Sequence, residues 1–286
     1  MFDPVKKRRI NWGWAQGVHA GMPSSKGELG FGPGSAQTLA REVMWDPAIR
    51  QLVSPPVEEQ EQLRGEKIAS VQQPMQVRPE RVLALGKSNQ SEIVVTFQLP
   101  SSSSPDSITR FGVVVMGGAD GGLHSGTFVF VDYAPPADDL EVGEVYNVSV
   151  GVQSLDDEHA ERSSAARSSG AAGAGSSLRL LVGETDLHLR LFVDHSFAVS
   201  ELPWRVVSIY FSFSEPGRCL FASEPTPQEA YWQDGRVAMT LPFKPTAEAA
   251  IAAAAPTRSV VVQSASVWAV ESIWVAPEEL LHTPRQ

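Results

Sequence analysis

Among 286 residues there is one cysteine, Cys219. That excludes an intrachain disulfide and any multi-cysteine zinc site. No stretch approaches the ~18–20 apolar residues that a membrane-spanning helix needs. Positive charge is in short supply: 23 Lys+Arg stand against 33 Asp+Glu, a net charge of -10. Such a balance repels phosphate backbones and argues against a nucleic-acid partner. Helical patterning is almost missing as well. The polar Glu58–Glu66 and the alanine run Ala247–Ala255 are the segments that read as helix, and neither sets an architecture. Behind the basic cluster Lys6–Arg9 there is no apolar stretch of signal-peptide length.

What the sequence does hold is short alternating segments. In Glu92–Leu99, Ile93, Val95, Phe97 and Leu99 fall on one face of an extended chain, the mark of a half-buried strand. Similar runs recur at Phe111–Met116, Thr127–Tyr133, Val145–Val152, Leu178–Val182, Leu187–Asp194, Arg236–Leu241, Ser259–Val262 and Val267–Val275. Gly117-Gly118, Gly121-Gly122, Pro135-Pro136 and Asp234-Gly235 punctuate them. Many short strands with such turns predict an all-β antiparallel sandwich or barrel. Gly17–Ser35 reads as a loop, and residues 162–177 form a low-complexity excursion.

Five motifs appear in order: FDPVKKRRINWGW at Phe2–Trp14, REVMWDPAIRQLVSPPVEEQEQLR at Arg41–Arg64, DHS at Asp194–Ser196, GRVAMT at Gly235–Thr240 and VWAVESIWV at Val267–Val275. Together they resemble glycoside hydrolase family 32, the invertases, fructan hydrolases and related fructosyltransferases. The resemblance implies a five-bladed β-propeller followed by a two-sheet β-sandwich. On that basis residues 1–57 are expected to be part of the last propeller blade, 58–65 a linker, and 66–286 the sandwich, so that the chain begins inside a domain. A lone blade exposes unpaired edges and apolar faces. Met1 to about Glu42 is therefore expected to be loosely folded, with self-association through the exposed blade left open.

The resemblance implies hydrolysis of β-fructofuranosidic bonds in sucrose or fructans, with retention of configuration and no metal or organic cofactor. Retention needs a nucleophilic carboxylate and an acid/base carboxylate ~5–5.5 Å apart. In the family these lie in N-D-P-N-G and E-C motifs, with a further acid in R-D-P. None of the three occurs here: Asp3-Pro4 and Asp46-Pro47 lack the flanking residues, and Cys219 follows Arg218. No catalytic residue is transferred, and the chain by itself is expected to be inactive. Trp14, the Trp of the family's G-W pair, could line a sugar pocket in an intact parent or simply fill a blade core. A binding-module reading stays open beside the enzymatic one. The sandwich could bind carbohydrate or associate with another subunit, with Tyr231, Trp232, Trp268 and Trp274 as candidate surface aromatics.

The family's D-H-S-x-x-E motif is split in this chain. Asp194, His195 and Ser196 are separated from Glu229 by residues 199–228, and deleting that segment restores DHSFAEAYWQDGRVAMT. The segment begins Val-Ser and ends Gln, which GTN-AGY and CAG can encode, so a retained intron translated in frame is expected. Asp194, His195 and Ser196 are triad residue types, but consecutive residues on a strand alternate in direction and cannot form a relay. A structural role for them and for Glu229 is expected. The six histidines show no paired ligand spacing, so no metal site is expected. Asn89-Gln-Ser and Asn147-Val-Ser fit the glycosylation sequon. They suit a family usually extracellular or vacuolar, although the chain shows no signal peptide and its location stays unknown.

Overall fold

The computed structural model describes residues 1–15, 36–100, 108–118, 124–155, 176–194, 226–243 and 249–270. Nearly every element among them is a β-strand, as the alternation predicts. The N-terminal part forms an antiparallel four-stranded sheet of β1 (Phe2–Asp3), β2 (Arg8–Asn11), β5 (Arg41–Asp46) and β6 (Gln51–Val53), in that order. The two-residue strands β3 (Trp14–Ala15) and β4 (Ala36–Gln37) pair beyond the open end of β2 and β5. The four antiparallel strands of the N-terminal sheet follow one another in chain order. Its strands are regular, and its backbone is tied to the rest of the chain. Of the stretch expected to be loosely folded, residues 1–15 and 36–42 are described and carry strands and turns, for reasons of charge given below; residues 16–35 lie outside the described residues.

The rest is a sandwich. One sheet runs β17 (Val237–Phe243), β16 (Thr226–Trp232), β15 (Asp186–Asp194), β10 (Gln90–Gln98), β19 (Val260–Val270) and β7 (Arg64–Val71), with β8 (Met75–Val77) also on β19. The other runs β14 (Ser176–Leu181), β13 (Val145–Ser154), β12 (Thr127–Tyr133), β11 (Thr109–Gly117), β18 (Ala250–Ala254) and β9 (Leu83–Lys87). The core lies between them. From the first sheet it takes Ile93, Val95, Phe97, Leu187, Leu189, Leu191 and Trp232; from the second come Phe111, Val113, Val129, Val131, Val148, Val150, Leu178 and Leu180. These positions alternate along each strand, so the period of two read from the sequence is the period with which side chains enter this core, while the central strands β11 and β18 are covered on both faces. Phe97 and Phe111 meet across the sheets with ring centroids 5.1 Å apart.

Two elements depart from the sequence reading. The alanine run is a strand: β18 lies between β11 and β9, buried along its whole length. A short alanine segment is too brief to hold a helix alone, and two flanking strands satisfy its backbone on both sides. Ala252 sits opposite Val114 and Ala254 opposite Gly112, where larger side chains would crowd the sheet. The segments Ser259–Val262 and Val267–Val275 belong, as far as residue 270, to one strand, β19, which absorbs the polar Gln263–Ser266 through a bulge opposite Thr96/Phe97. The helix-like linker is a 3-10 helix, η1 (Glu58–Leu63).

Strand β10 breaks its own pattern once. Ser91 occupies the same face as Ile93, Val95 and Phe97, is completely buried, and its hydroxyl has no hydrogen-bond partner among the described residues. An unsatisfied buried hydroxyl costs about 1–3 kcal/mol.

Truncating Phe97 removes the ring that joins the two sheets. Phe97→Ala should lower unfolding free energy by about 3–5 kcal/mol, read as a shifted midpoint in urea with an unchanged slope.

Candidate functional site

The chemistry-bearing side chains of the described residues gather where the N-terminal sheet meets the sandwich. The linker sequence EEQEQLR puts three acids into the two short turns of η1. Glu58 and Glu59 face the N-terminal sheet: Lys6 pairs with both, and Arg8 pairs with Glu59, with Asp3 at 3.1 Å and with Glu42 at 3.7 Å. The basic cluster of β2 thus reaches across to the linker, and is not paired within the sheet alone. Asp3 accepts backbone N–H bonds from Lys6 and Val5 in addition to the Arg8 guanidinium, which together hold its carboxyl below the usual range. Glu59 is held at about 2, chiefly by the hydrogen bonds from Arg8 and then Lys6.

Glu61 faces the other way. It lies 3.1 Å from Arg64 and 3.6 Å from Arg190, and both arginines converge on Glu92. Arg64 donates through Nε at 2.8 Å and Nη2 at 2.7 Å to the two Glu92 oxygens, and Arg190 Nε adds a third bond at 2.6 Å. Glu92 has no exposed surface. Its strand position is on the outer face, opposite Phe192 and Trp268 by register. It is buried because the arginines and aromatics cover it. Arg64 stacks 4.2 Å over the Trp268 ring, with Lys67 at 5.0 Å from it, and Arg190 lies 5.0 Å over Phe192. Two fork-shaped cations on one desolvated carboxylate make strong, directional bonds. The Glu92 bond also raises the pKa of Arg64.

A second seam closes the far side of the junction. Ser54 N–H donates to the Gly235 carbonyl at 2.8 Å, Gln51 Nε2 to the Arg236 carbonyl at 2.7 Å, and Arg179 Nη1 to the Ile49 carbonyl at 3.2 Å. Arg236 forks onto Glu184 at 2.8 and 3.1 Å and comes within 3.9 Å of Asp46. Gly235 has φ +83°, and a Cβ there would stand 2.2 Å from the Pro55 nitrogen. The Asp234-Gly235-Arg236 turn therefore has two reasons for its glycine: the left-handed backbone and the close passage of the β6 tail.

The expected site residues fare unevenly. Trp14 lies on β3, paired with Gln37, and its side chain is outside the described set. Asp194 ends β15 opposite Gln90, and Glu229 stands on β16 opposite Phe192, so the split motif's two acids come to one end of neighbouring strands. Their side chains, and all of His195 and Ser196, lie outside the described residues. Arg190, one row away from Glu229, keeps a buried Nη2 without a hydrogen-bond partner among the described groups. Of the candidate surface aromatics, Tyr231 and Trp232 are buried, Trp268 is half-covered by Arg64 and Lys67, and Trp274 is outside the described residues. Glu92, Arg190, Lys6 and Arg8 were not singled out as an ion network from sequence. An acid on the polar side of an apolar strand reads as solvated until its partners are known. Among the described residues no group of His, Cys, Asp and Glu could hold a metal ion.

No family model matches the chain. Over 104 residues it is 36% identical to the β-fructofuranosidase insoluble isoenzyme 2 of Oryza sativa, covering 35% of this chain and 16% of that protein. Over 239 residues it is 27% identical to the acid β-fructofuranosidase of Solanum lycopersicum, covering 80% of this chain and 35% of the relative. The fold is similar to that of the fructan 1-exohydrolase IIa of Cichorium intybus, with TM-score 0.62, 18% identity, and coverage of 95% of this chain and 47% of that one. The exo-inulinase of Aspergillus awamori follows with TM-score 0.52, 14% identity, and 93% and 41% coverage. The chain thus spans less than half the length of these relatives, and its likeness is to the C-terminal region of glycoside hydrolase family 32.

Removing one member of the buried network leaves charges uncompensated. Glu92→Ala should cost about 3–5 kcal/mol, whereas Glu58→Ala, at an exposed position, should move the denaturation midpoint far less. Acid should act on the clamp in a defined direction. Glu59 and Asp3 have depressed folded-state values, so their contribution is complete above about pH 4.5. It is lost as pH falls toward 2, where fluorescence of Trp12 and Trp45 should report loosening of the sheet.

Proposed function

We propose that the chain is the C-terminal part of a glycoside hydrolase family 32 protein, a β-fructofuranosidase whose intact form hydrolyses sucrose or fructans. The observation that carries this reading is the junction. A blade-like sheet, a linker rich in acids and a sandwich are locked together by the residues of the first, second and fourth motifs: Lys6 and Arg8, Glu58 to Arg64, and Gly235-Arg236. Within it, residues 1–57 serve as the terminal blade, 58–65 as the linker and 66–286 as the sandwich. The likeness to β-fructofuranosidases along most of the chain supports it independently.

In this reading the sandwich holds the last blade in place and carries none of the bond-breaking groups. The acids of the junction are already committed: Glu92 to two arginines, Glu59 to Arg8 and Lys6, Glu184 to Arg236. A glycosidase nucleophile must be free to attack and its partner free to carry a proton. Purified 286-residue protein should therefore release no fructose from sucrose or inulin. Titration with sucrose, inulin and levan separates the two readings. Absence of both turnover and affinity fits a structural module, whereas affinity without turnover would establish carbohydrate binding by the sandwich instead.

The segment 199–228 is, in the same reading, a retained intron translated in frame. Joining Ala198 to Glu229 would keep the pairs from Leu189–Trp232 to Phe192–Glu229, whereas Val193–Gln228 and the pairs of Thr226, Pro227 and Gln228 with β17 fall inside the segment and would have to be re-formed by residues 196–198. Residues 193–198 would then connect the two strands over an ordinary hairpin length. Transcripts from the source should include a form in which the codons of Ala198 and Glu229 are adjacent; their uniform continuity through 199–228 would refute it.

A further inference from the structure

Ser91 breaks the apolar pattern of its strand face. The buried face of β10 reads Ser91, Ile93, Val95, Phe97, and a hydroxyl heads a row that is otherwise apolar. It stands between Val193 and Ala269 by register, has no exposed surface and has no hydrogen-bond partner among the described residues. Alanine would serve this position better. The hydroxyl gains a purpose only before folding, as the third residue of Asn89-Gln90-Ser91.

The surroundings of Asn89 fit that purpose. It is exposed at the turn between β9 and β10 and makes no hydrogen bond among the described residues. The turn is held by its neighbours: Ser88 Oγ donates to the Gln90 carbonyl at 2.5 Å, and Gln90 N–H donates back to Ser88 Oγ at 3.2 Å. A bulky substituent on the Asn89 carboxamide would project into solvent and break nothing. The other sequon sits differently. Asn147 is also exposed, but it lies within β13, flanked by β12 and β14, and its Oδ1 accepts a bond from Ser177 Oγ at 3.1 Å. Order of synthesis adds a further distinction. The partners of β10 are β15 and β19, which follow it by some hundred residues or more, so the Asn89 sequon stays open in the growing chain. The partners of β13 are its immediate neighbours in sequence, and such local pairings form first.

We propose that Asn89 is an N-glycan acceptor and that Asn147 is not. The donor is a lipid-linked diphospho-oligosaccharide. The Asn89 Nδ2 forms a bond to C1 of the reducing-end sugar while the C1–O bond to phosphate breaks. The lipid diphosphate leaves with the bonding electrons, and the amide proton passes to solvent base. Ser91 is retained for recognition at this stage and is buried afterwards.

The full chain, translated behind a cleavable secretion leader in a glycosylating yeast, gives a direct test by intact mass before and after peptide N-glycosidase. The wild type and Asn147→Gln should each carry one removable glycan, Asn89→Gln and Ser91→Ala none, and Ser91→Thr one. An unmodified wild type, or a glycan that survives Asn89→Gln, would overturn the assignment. Ser91→Ala made without glycosylation supplies the second measurement. Its melting temperature should equal or exceed that of the wild type, and a marked fall would show that the hydroxyl is structural after all.

Discussion

The junction depends on one carboxylate. Glu92 sits on the outer face of the first sandwich sheet, a position that ordinarily meets water, and it is instead sealed by Arg64, Arg190 and Trp268 of the same sheet. Because Arg64 begins β7 directly after the linker, satisfying Glu92 fixes where η1 ends and how it lies on the sheet. The acids of η1 then present one side to the sandwich through Glu61 and the other to the N-terminal sheet through Glu58 and Glu59. A desolvated ion network of this kind is a weak source of net stability but a strict one of geometry, since any other arrangement leaves a charge buried alone.

The network also explains why the small N-terminal sheet can be regular. A four-stranded sheet with exposed Phe2, Trp45 and Leu52 has little apolar burial of its own. Its order comes from the ends. Lys6 and Arg8 bind one end to the linker, and the β6 tail is laid against Gly235 and Arg236 at the other. The sequence reading weighed the missing apolar contacts and expected looseness. The polar contacts that supply the sheet's order run from Lys6 and Arg8 to linker acids some fifty residues away in the chain.

Several elements were legible because they obey local rules. Thr127–Tyr133 has the same limits in sequence and structure, and the buried row Ile93, Val95, Phe97, Leu99 follows directly from alternation. The Asp234-Gly235 turn was visible from residue type alone, although its tight passage by Pro55 was not. The alanine run was misread since intrinsic preference favours helix, and only the sheet on either side of β18 reverses it. The surface role suggested for Tyr231 and Trp232 failed for a related reason: adjacent aromatics on a strand point to opposite faces, yet both faces of β16 are covered.

Composition and order of residues were enough to decide that this is an all-β chain with an antiparallel sandwich, that it lacks the carboxylate motifs of a retaining glycosidase, and which family its motifs resemble. Periodicity and short motifs are local, and so are the forces that they report. Which charges meet was decided only by the tertiary structure. Glu92 and Arg190 lie 98 positions apart, and Gln51 and the Arg236 carbonyl 185. Pairings at that distance are set by sheet order and by the cost of burying an unpaired charge, neither of which is written in any short stretch of sequence.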